Sequence, residues 1–319
     1  MSNFQVDGRL PKSAFGEIVT THKKPIVQFA NKYEIDPNNM AEVEIFSATG
    51  GTVDNLTNRF RLQSGVSVGG YGVLRSKDTV NYLAGEGLEC QITASFTTGV
   101  ANSLQFAGMF QVTDTLAFGY DGTSFSTIYQ YGGVCEIQVI NVTATGAGTC
   151  TVTLDNDAVG ITVTNSSVQT NAEELRAGLE GDATIGGKWR FEQENDNVIC
   201  ISRSTGNKTG TMSVSGGVTA TITEQIAGAD KTDSHTAQAS WNVTTTPFTG
   251  FDPTNMNIYK IQFGYLGVAN INFFIYSPDI GEFVLVHRQK TANTTTITSV
   301  RQPNMKAGWT SASLGSTTN

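Results

Sequence analysis

Between residues 258 and 288 the chain reads IYKIQFGYLGVANINFFIYSPDIGEFVLVHR, and its side chains change character at every second position. Tyr259, Ile261, Phe263 and Tyr265 fall on one side of an extended backbone, with Lys260 and Gln262 on the other. Ile271, Phe273 and Ile275 then alternate with Asn270 and Asn272. After a turn at Ser277-Pro278-Asp279, Phe283, Leu285 and His287 alternate with Val284, Val286 and Arg288. Successive side chains of a strand point to opposite faces, so this period of two, bounded by Gly, Pro and Asn, predicts three consecutive half-buried antiparallel strands. The stretch speaks for a β-sandwich or jelly roll. Such a fold more often binds or builds than catalyses, but function has to be argued from sites.

The same grammar runs through most of the chain. From about 41 to 133, strands are predicted at 43–46, 58–63, 70–76, 88–99, 104–110, 115–121 and 124–132, separated by Gly, Asn and Asp. The 34 glycines and the heavy use of Thr, Ser and Asn suit a chain with many turns. At Gly133 the texture changes. Residues 134–229 hold hairpins with turns at Gly146-Ala147-Gly148, Asn195-Asp196-Asn197 and Gly216-Gly217, around the one convincing helix. Thr170 and Glu173 read as its capping box, Ala172, Leu175 and Leu179 as its apolar face, and Gly181 as its stop. This region reads as a small α+β domain inserted at an exposed loop of the sandwich, which costs little stability.

The expected architecture is therefore mainly β: a sandwich or jelly-roll-like body from 41–133 and 230–296, a small inserted α+β domain at 134–229, and extended terminal arms at 1–40 and 297–319. The first arm carries Phe4, Leu10, Phe15 and Phe29 among Pro11, Pro25 and Pro37. So many large apolar groups predict packing on the chain's own body or on a neighbouring subunit, because disordered tails are poor in them. A chain of 319 residues has room for two cores.

Composition narrows the partners. The net charge of -8 and the lack of a basic run beyond Lys23-Lys24 argue against nucleic acid, whose phosphates need clustered Lys and Arg. The first residues lack the apolar core of a signal peptide, and no uninterrupted apolar run is long enough for a membrane helix, so a soluble chain made in a cytoplasm is expected. Charged residues make up only 15%, a level common in surfaces that lock into assemblies. Cys90, Cys135, Cys150 and Cys200 form no CxxC pair and read as buried free thiols, with Cys135–Cys150 or Cys150–Cys200 bridges geometrically open.

Reactive constellations are thin. Glu42 with Glu44, and Glu192 with Glu194, place paired carboxylates on strand faces, as sandwich glycosidases do, but without a cleft-lining aromatic signature. They read as solvated faces. Asp155-Asn156-Asp157 begins like a calcium loop, yet Val159 has no side-chain oxygen to offer and no Glu stands at the twelfth position, so a hairpin turn is expected. His287 reads as a hydrogen-bonded histidine at the core's edge. No catalytic residue, metal or cofactor is expected. The most credible contact residues are aromatic: Tyr120, Phe125, Tyr129 and Tyr131 in one short stretch, and Phe248 and Phe251 with Asp252 in the polar loop 244–255. Subunit neighbours, the core itself and sugars all pack on such rings.

Two blocks carry a resemblance. LRSKDTVNYLAGEGLECQITASFTTGVANSLQFAGMF with FGYDGTSFSTIYQYGG, and the stretch from Trp241 through FDPTNMNIYKIQFGYLGVANINFFIYSPDIGEFVLVHRQKTANT, resemble paired blocks in structural proteins of tailed phages and some large DNA viruses. The shared positions are Arg75-Ser76, Gly85-Glu86-Gly87, Phe96 to Gly99, Phe118 to Thr123, Asp252-Pro253-Thr254, Tyr265-Leu266-Gly267 and Val286-His287. The resemblance covers about 70–133 and 236–296, and modules like 134–229 occur at the same point. It implies a virion structural protein without catalytic residues: a tail-fibre, baseplate or capsid-surface part that forms a homo-oligomer, here expected as a trimer, with other virion proteins as neighbours. A module binding host-surface glycan through 120–131 and 244–255 is the alternative, and a glycan hydrolase using Glu192 or Glu194 the third.

Overall fold

The computed structural model describes residues 35, 41–46, 51–66, 70–80, 87–164, 166–264, 268–294, 296 and 298–315. The expectations for the arm 1–40, for the side chains of Glu42 and Glu44, and for Tyr265-Leu266-Gly267 lie outside the described residues. The protein is mainly β with several antiparallel sheets, as the alternation predicted, and it divides into two units. Unit 1 comprises Met1–Tyr131 with Asp233–Asn319, and unit 2 comprises Gly132–Thr232.

In chain order unit 1 begins with β1 (Ala41–Phe46), β2 (Thr52–Leu56), β3 (Arg59–Gln63) and β4 (Tyr71–Ser76). It continues with β5 (Gly87–Ala94), β6 (Ser103–Phe110), β7 (Thr115–Asp121) and β8 (Ser124–Tyr131). Unit 2 holds β9 (Cys135–Ala144), β10 (Gly148–Leu154), β11 (Asp157–Val163), α1 (Val168–Gly181) and α2 (Ile185–Lys188). Then come β12 (Trp189–Glu194), β13 (Asn197–Thr205), β14 (Ser213–Ser215) and β15 (Thr219–Ile226). The chain re-enters unit 1 through β16 (Thr232–Asp233) and β17 (Thr236–Ala237), followed by β18 (Asn257–Gly264), β19 (Ile271–Ser277), β20 (Glu282–Gln289) and β21 (Lys306–Ser313).

Unit 1 is a two-layer sandwich-like body. One layer is an eight-stranded sheet in the order β1-β4-β21-β6-β7-β8-β16, with β17 also paired to β8. The other is the sheet β20-β19-β18-β5 with the β2–β3 hairpin beside it. Phe60 of β3 lies 5.6 Å from Trp309 of β21 between ring centroids, which places the hairpin on the same side of the large sheet as the four-stranded sheet. Leu116 and Phe118 from one layer meet Tyr259, Ile261, Phe263, Ile271, Phe273 and Ile275 from the other, all at 1% exposure or less. Burying one such side chain stabilises by roughly 1.5–3 kcal/mol, so these rows hold the layers together.

The registers explain both where the alternation succeeds and where it slips. Tyr259 pairs with Ile275, Ile261 with Phe273 and Phe263 with Ile271, so the three apolar rows stack on the inner face. On β20 the register shifts between Phe273 and Phe274: Phe273 opposes His287 while Phe274 opposes Leu285. Val286 is the extra residue of this bulge, and both Val286 and His287 are buried. The bulge moves Phe283 and Leu285 to the outer face, away from the side that His287 shares with Phe273.

The expected C-terminal arm at 297–319 is corrected. β21 pairs with β4 on one side and β6 on the other, in the interior of the large sheet. Its Ser, Thr and Gly content hid a strand whose inner face has Ala307 and Trp309 as its apolar side chains. Gly308 stands where strands approach closely, since a Cβ there would come within 2.3 Å of the Leu74 carbonyl oxygen. Residues 236–241 give only the short β17 before a 3-10 turn at Gln238–Ser240.

Unit 2 has its own core. The sheet β12-β13-β9-β15 and the sheet β11-β10-β14 enclose Ile140, Val142, Cys150, Val152, Leu154, Val198 and Cys200, all fully buried. Ala172, Leu175 and Leu179 of α1 pack into the same core, as their spacing predicted. The helix starts earlier than Thr170. Ser167 is the N-cap and its Oγ accepts from the Thr170 N–H at 3.0 Å, so Thr170 is a first-turn residue and not the cap. The Asp155-Asn156 pair makes the β10–β11 turn with positive φ at both residues (52° and 72°), the conformation of a tight two-residue hairpin.

Candidate contact surface

The aromatic residues expected at a contact surface are, for the most part, the core. Tyr120, Phe125 and Tyr129 are 8%, 6% and 3% exposed. Phe125 packs against Tyr120, Phe96, Trp241, Tyr259 and Phe251 at ring-centroid distances of 5.3–6.2 Å. Tyr131 stacks on Tyr129 at 4.8 Å, half buried. Phe248 and Phe251 are half buried, meet edge-on at 5.4 Å and close one end of this cluster. The residue-type signal was right and the side was wrong: on β7 and β8 these rings fall on the inner face of the sheet. Burial, led by desolvation, raises the phenol pKa values of Tyr120, Tyr129 and Tyr259.

Loop 244–255 is fixed in place rather than open. The Asp252 carboxylate accepts from the Thr254 N–H and hydroxyl, both at 2.8 Å, and these bonds lower its pKa. Asn257 Nδ2 donates to the carbonyls of Asp252 and Asn255, and the Phe96 N–H to that of Pro253. Asp252 remains exposed at the surface, with Met256 and Ile258 beyond it.

A second aromatic set, not singled out by sequence, lies on the outer face of the four-stranded sheet. Phe274 and Tyr276 of β19 alternate with the buried Phe273 and Ile275, and Phe283 reaches this face from β20. All three rings are half buried. Tyr276 and Phe283 meet at 5.6 Å with their planes 73° apart. Lys260 Nζ sits 4.3 Å from the Phe274 centroid and 4.2 Å from that of Phe283, so one cation covers two ring faces. Ile258 and Leu285 extend the patch. The signal was available: FF and IY in β19 put aromatics at the two outward positions 274 and 276, where a solvated strand would carry Ser, Lys or Glu. It was obscured because the adjacent Asn270 and Asn272 drew the polar reading.

The remaining candidates are structural. Glu192 is exposed and pairs with Arg190 at 3.1 Å on the same strand, and Glu194 is exposed beside it. Asp155 and Asn156 accept from the Gly210 and Thr211 N–H groups, so the would-be calcium loop spends its oxygens on backbone. All four cysteines are free thiols, three of them buried. Burial pushes the Cys90 and Cys200 thiols up to about 12. Asp114, fully buried, holds the Arg301 and Gln302 N–H groups at 2.9 and 3.0 Å, while Tyr129 donates its hydroxyl to the Ser299 carbonyl. Glu136, also fully buried, accepts from Gln138 Nε2 and the Lys208 N–H. Among the described residues no cluster of three His, Cys, Asp or Glu side chains is placed to hold a metal, and no helix is long and apolar enough to cross a membrane.

No protein-family model matches this sequence, and no curated protein matches it either. The geometry of the chain's own residues therefore carries the functional argument.

Proposed function

We propose that this chain is a non-enzymatic structural protein of a virion, in a tail fibre, baseplate or capsid-surface position, and that it works by self-assembly. The observation that carries the reading is the outer face of the four-stranded sheet, where Phe274, Tyr276 and Phe283 lie half buried under Lys260 on a chain otherwise poor in charge. Interface cores are enriched in aromatic residues and depleted in charge, and this face has that make-up. The resemblance of the blocks at 70–133 and 236–296 to virion proteins supports the same reading. A trimer is the expected assembly, a closed ring in which this face of each subunit meets a different surface of the next.

Sedimentation of the purified protein tests it. A discrete oligomer is expected, and Phe283→Ser together with Lys260→Glu should shift it toward monomer without changing the far-UV spectrum. A chain that stays monomeric at high concentration, with or without these changes, would remove the proposal. A second reading rests on the same rings, because sugars stack on exposed aromatic faces: a glycan-binding module on the virion. Glycan-array binding that Tyr276→Ala abolishes would favour it, and an array without signal would end it.

A further inference from the structure

Strand β15 leaves one edge of unit 2 bare. It is the last strand of the sheet β12-β13-β9-β15 and pairs with β9 on one side, and among the described residues nothing hydrogen-bonds to its other side. None of its eight residues is buried, which holds for no other described strand of that length or longer. Its sequence, TATITEQI, has no Lys, Arg or Pro, and Glu224 is its one charge. Ala220 and Ile222 rest half buried against the unit 2 core, while Thr219, Thr221, Thr223 and Glu224 are exposed. Edges of this kind pair with further strands unless charge, Pro or a covering segment prevents it. Two other edges carry such devices. β12, at the far end of the same sheet, exposes Arg190, Glu192 and Glu194, and Arg203 Nε donates to its Trp189 carbonyl at 3.1 Å. In unit 1 the edge of β20 is closed by Asn242, whose Oδ1 accepts from the Arg288 N–H at 2.9 Å and whose Nδ2 donates to the Arg288 carbonyl at 2.8 Å. The Val243 and Thr244 N–H groups donate to the Val286 carbonyl beside it. β15 has no such cover.

We infer that the free edge of β15 pairs antiparallel with β15 of a second copy of this chain, with Ile222 on the two-fold axis. The strand's own register selects this occupant. β15 keeps step with β9 only from Ala220 to Glu224, and the register shifts on either side, between Thr219 and Ala220 and between Glu224 and Ile226. Bulges bend a strand out of the ladder, so the straight part of the edge is this run, and Ile222 is its middle. A two-fold axis normal to the sheet joins identical edges antiparallel and places one residue opposite itself. With Ile222 there, Thr221 lies opposite Thr223 and Ala220 opposite Glu224, once on each side of the axis. Threonine pairs are favourable across strands, and the one charged residue meets a small neutral one, so the edge complements itself with no like charges opposed. The two Ile222 side chains meet at the axis and complete the burial that an edge position denies them. The contact lies on unit 2 and joins like to like, so it goes beyond the assembly through the four-stranded sheet proposed above and does not depend on it. So short an edge makes a small interface, and association is expected at high protein concentration.

Sedimentation equilibrium of the full chain over a concentration series tests it, with Phe283→Ser and Lys260→Glu present so that the other contact is weakened. A monomer–dimer equilibrium is expected. Adding Thr221→Lys with Thr223→Lys sets Lys opposite Lys on both sides of the axis and should raise the dissociation constant about tenfold or more. Adding Thr221→Lys with Thr223→Glu instead sets Lys opposite Glu and should return it to the starting value or below. Both threonines are exposed, so the far-UV spectrum and the melting temperature should stay as they are. Backbone amides of residues 220–224 should exchange more slowly at high concentration than at low. A chain that stays monomeric in this background overturns the inference, and so does a dimer on which the two pairs of substitutions act alike. The assembly reading is judged separately, by what Phe283→Ser and Lys260→Glu do to the otherwise unchanged chain.

Discussion

At the scale of single residues, His287 and the thiols make the sharpest statements. The Asn242 N–H donates to His287 Nδ1 at 3.4 Å, so the ring is neutral with its proton on Nε2, and that buried nitrogen has no partner within hydrogen-bond distance among the described residues. Desolvation holds the His287 pKa below its ordinary 6.5, against a smaller opposing effect of Gln289. The sign follows: below 6.5 the unfolded chain takes up a proton that the folded chain refuses, so stability is complete above that pH and declines as pH falls through it toward the folded value. The limiting slope for one proton is about 1.4 kcal/mol per pH unit. Denaturant titrations between roughly pH 4 and 7 should show this limb, and His287→Asn, which keeps an acceptor for Asn242, should flatten it. The thiols are read by Ellman's reagent. Cys90, Cys150 and Cys200 should stay silent in the native protein because the reactive thiolate is suppressed and shielded, while half-buried Cys135 should react first. Fast native reaction of more than one thiol would contradict the burial described.

At the scale of elements, the ends of α1 and β21 are held by identifiable contacts. Ser167→Ala should lower the stability of unit 2 by about 1 kcal/mol, the usual value of an N-cap, whereas Thr170→Ala should cost less. Asp114→Ala leaves the Arg301 and Gln302 N–H groups without their acceptor and should cost unit 1 roughly 2–3 kcal/mol, with Asp114→Asn retaining part of it. Thermal melts of each variant check both figures. These elements also mark how much could be read in advance. The strands of the 258–288 meander and the apolar face of α1 were legible because period and chemistry agree there. β21 was not, since its run of Ala, Gly, Ser and Thr has Trp309 as its one large apolar side chain and shows no apolar alternation. The Val286 bulge was invisible for a different reason: alternation gives the parity of a strand and is silent on where parity changes. The contact aromatics failed on the same ground, because Tyr120, Phe125 and Tyr129 looked outward only so long as the partner layer had no known position.

At the scale of the whole molecule, sequence order and sheet order disagree in a way that has consequences for synthesis. β5 pairs with β18 across the whole of unit 2, and the large sheet keeps a place between β4 and β6 that only β21 fills. Unit 2, by contrast, draws all its strands from one continuous stretch, Gly132–Thr232. On the ribosome the inserted unit can therefore finish folding while its host is still two edges with a gap, since non-local pairing must wait for the partner to emerge. A nascent chain arrested with residue 305 just outside the exit tunnel should protect unit 2 from protease and leave β4 and β6 open to cleavage. Arrest after residue 313 has cleared should protect both. Until that last strand arrives, β4 and β6 present bare backbone to any neighbour in the polysome, so the late position of β21 sets the interval during which a chaperone is most needed.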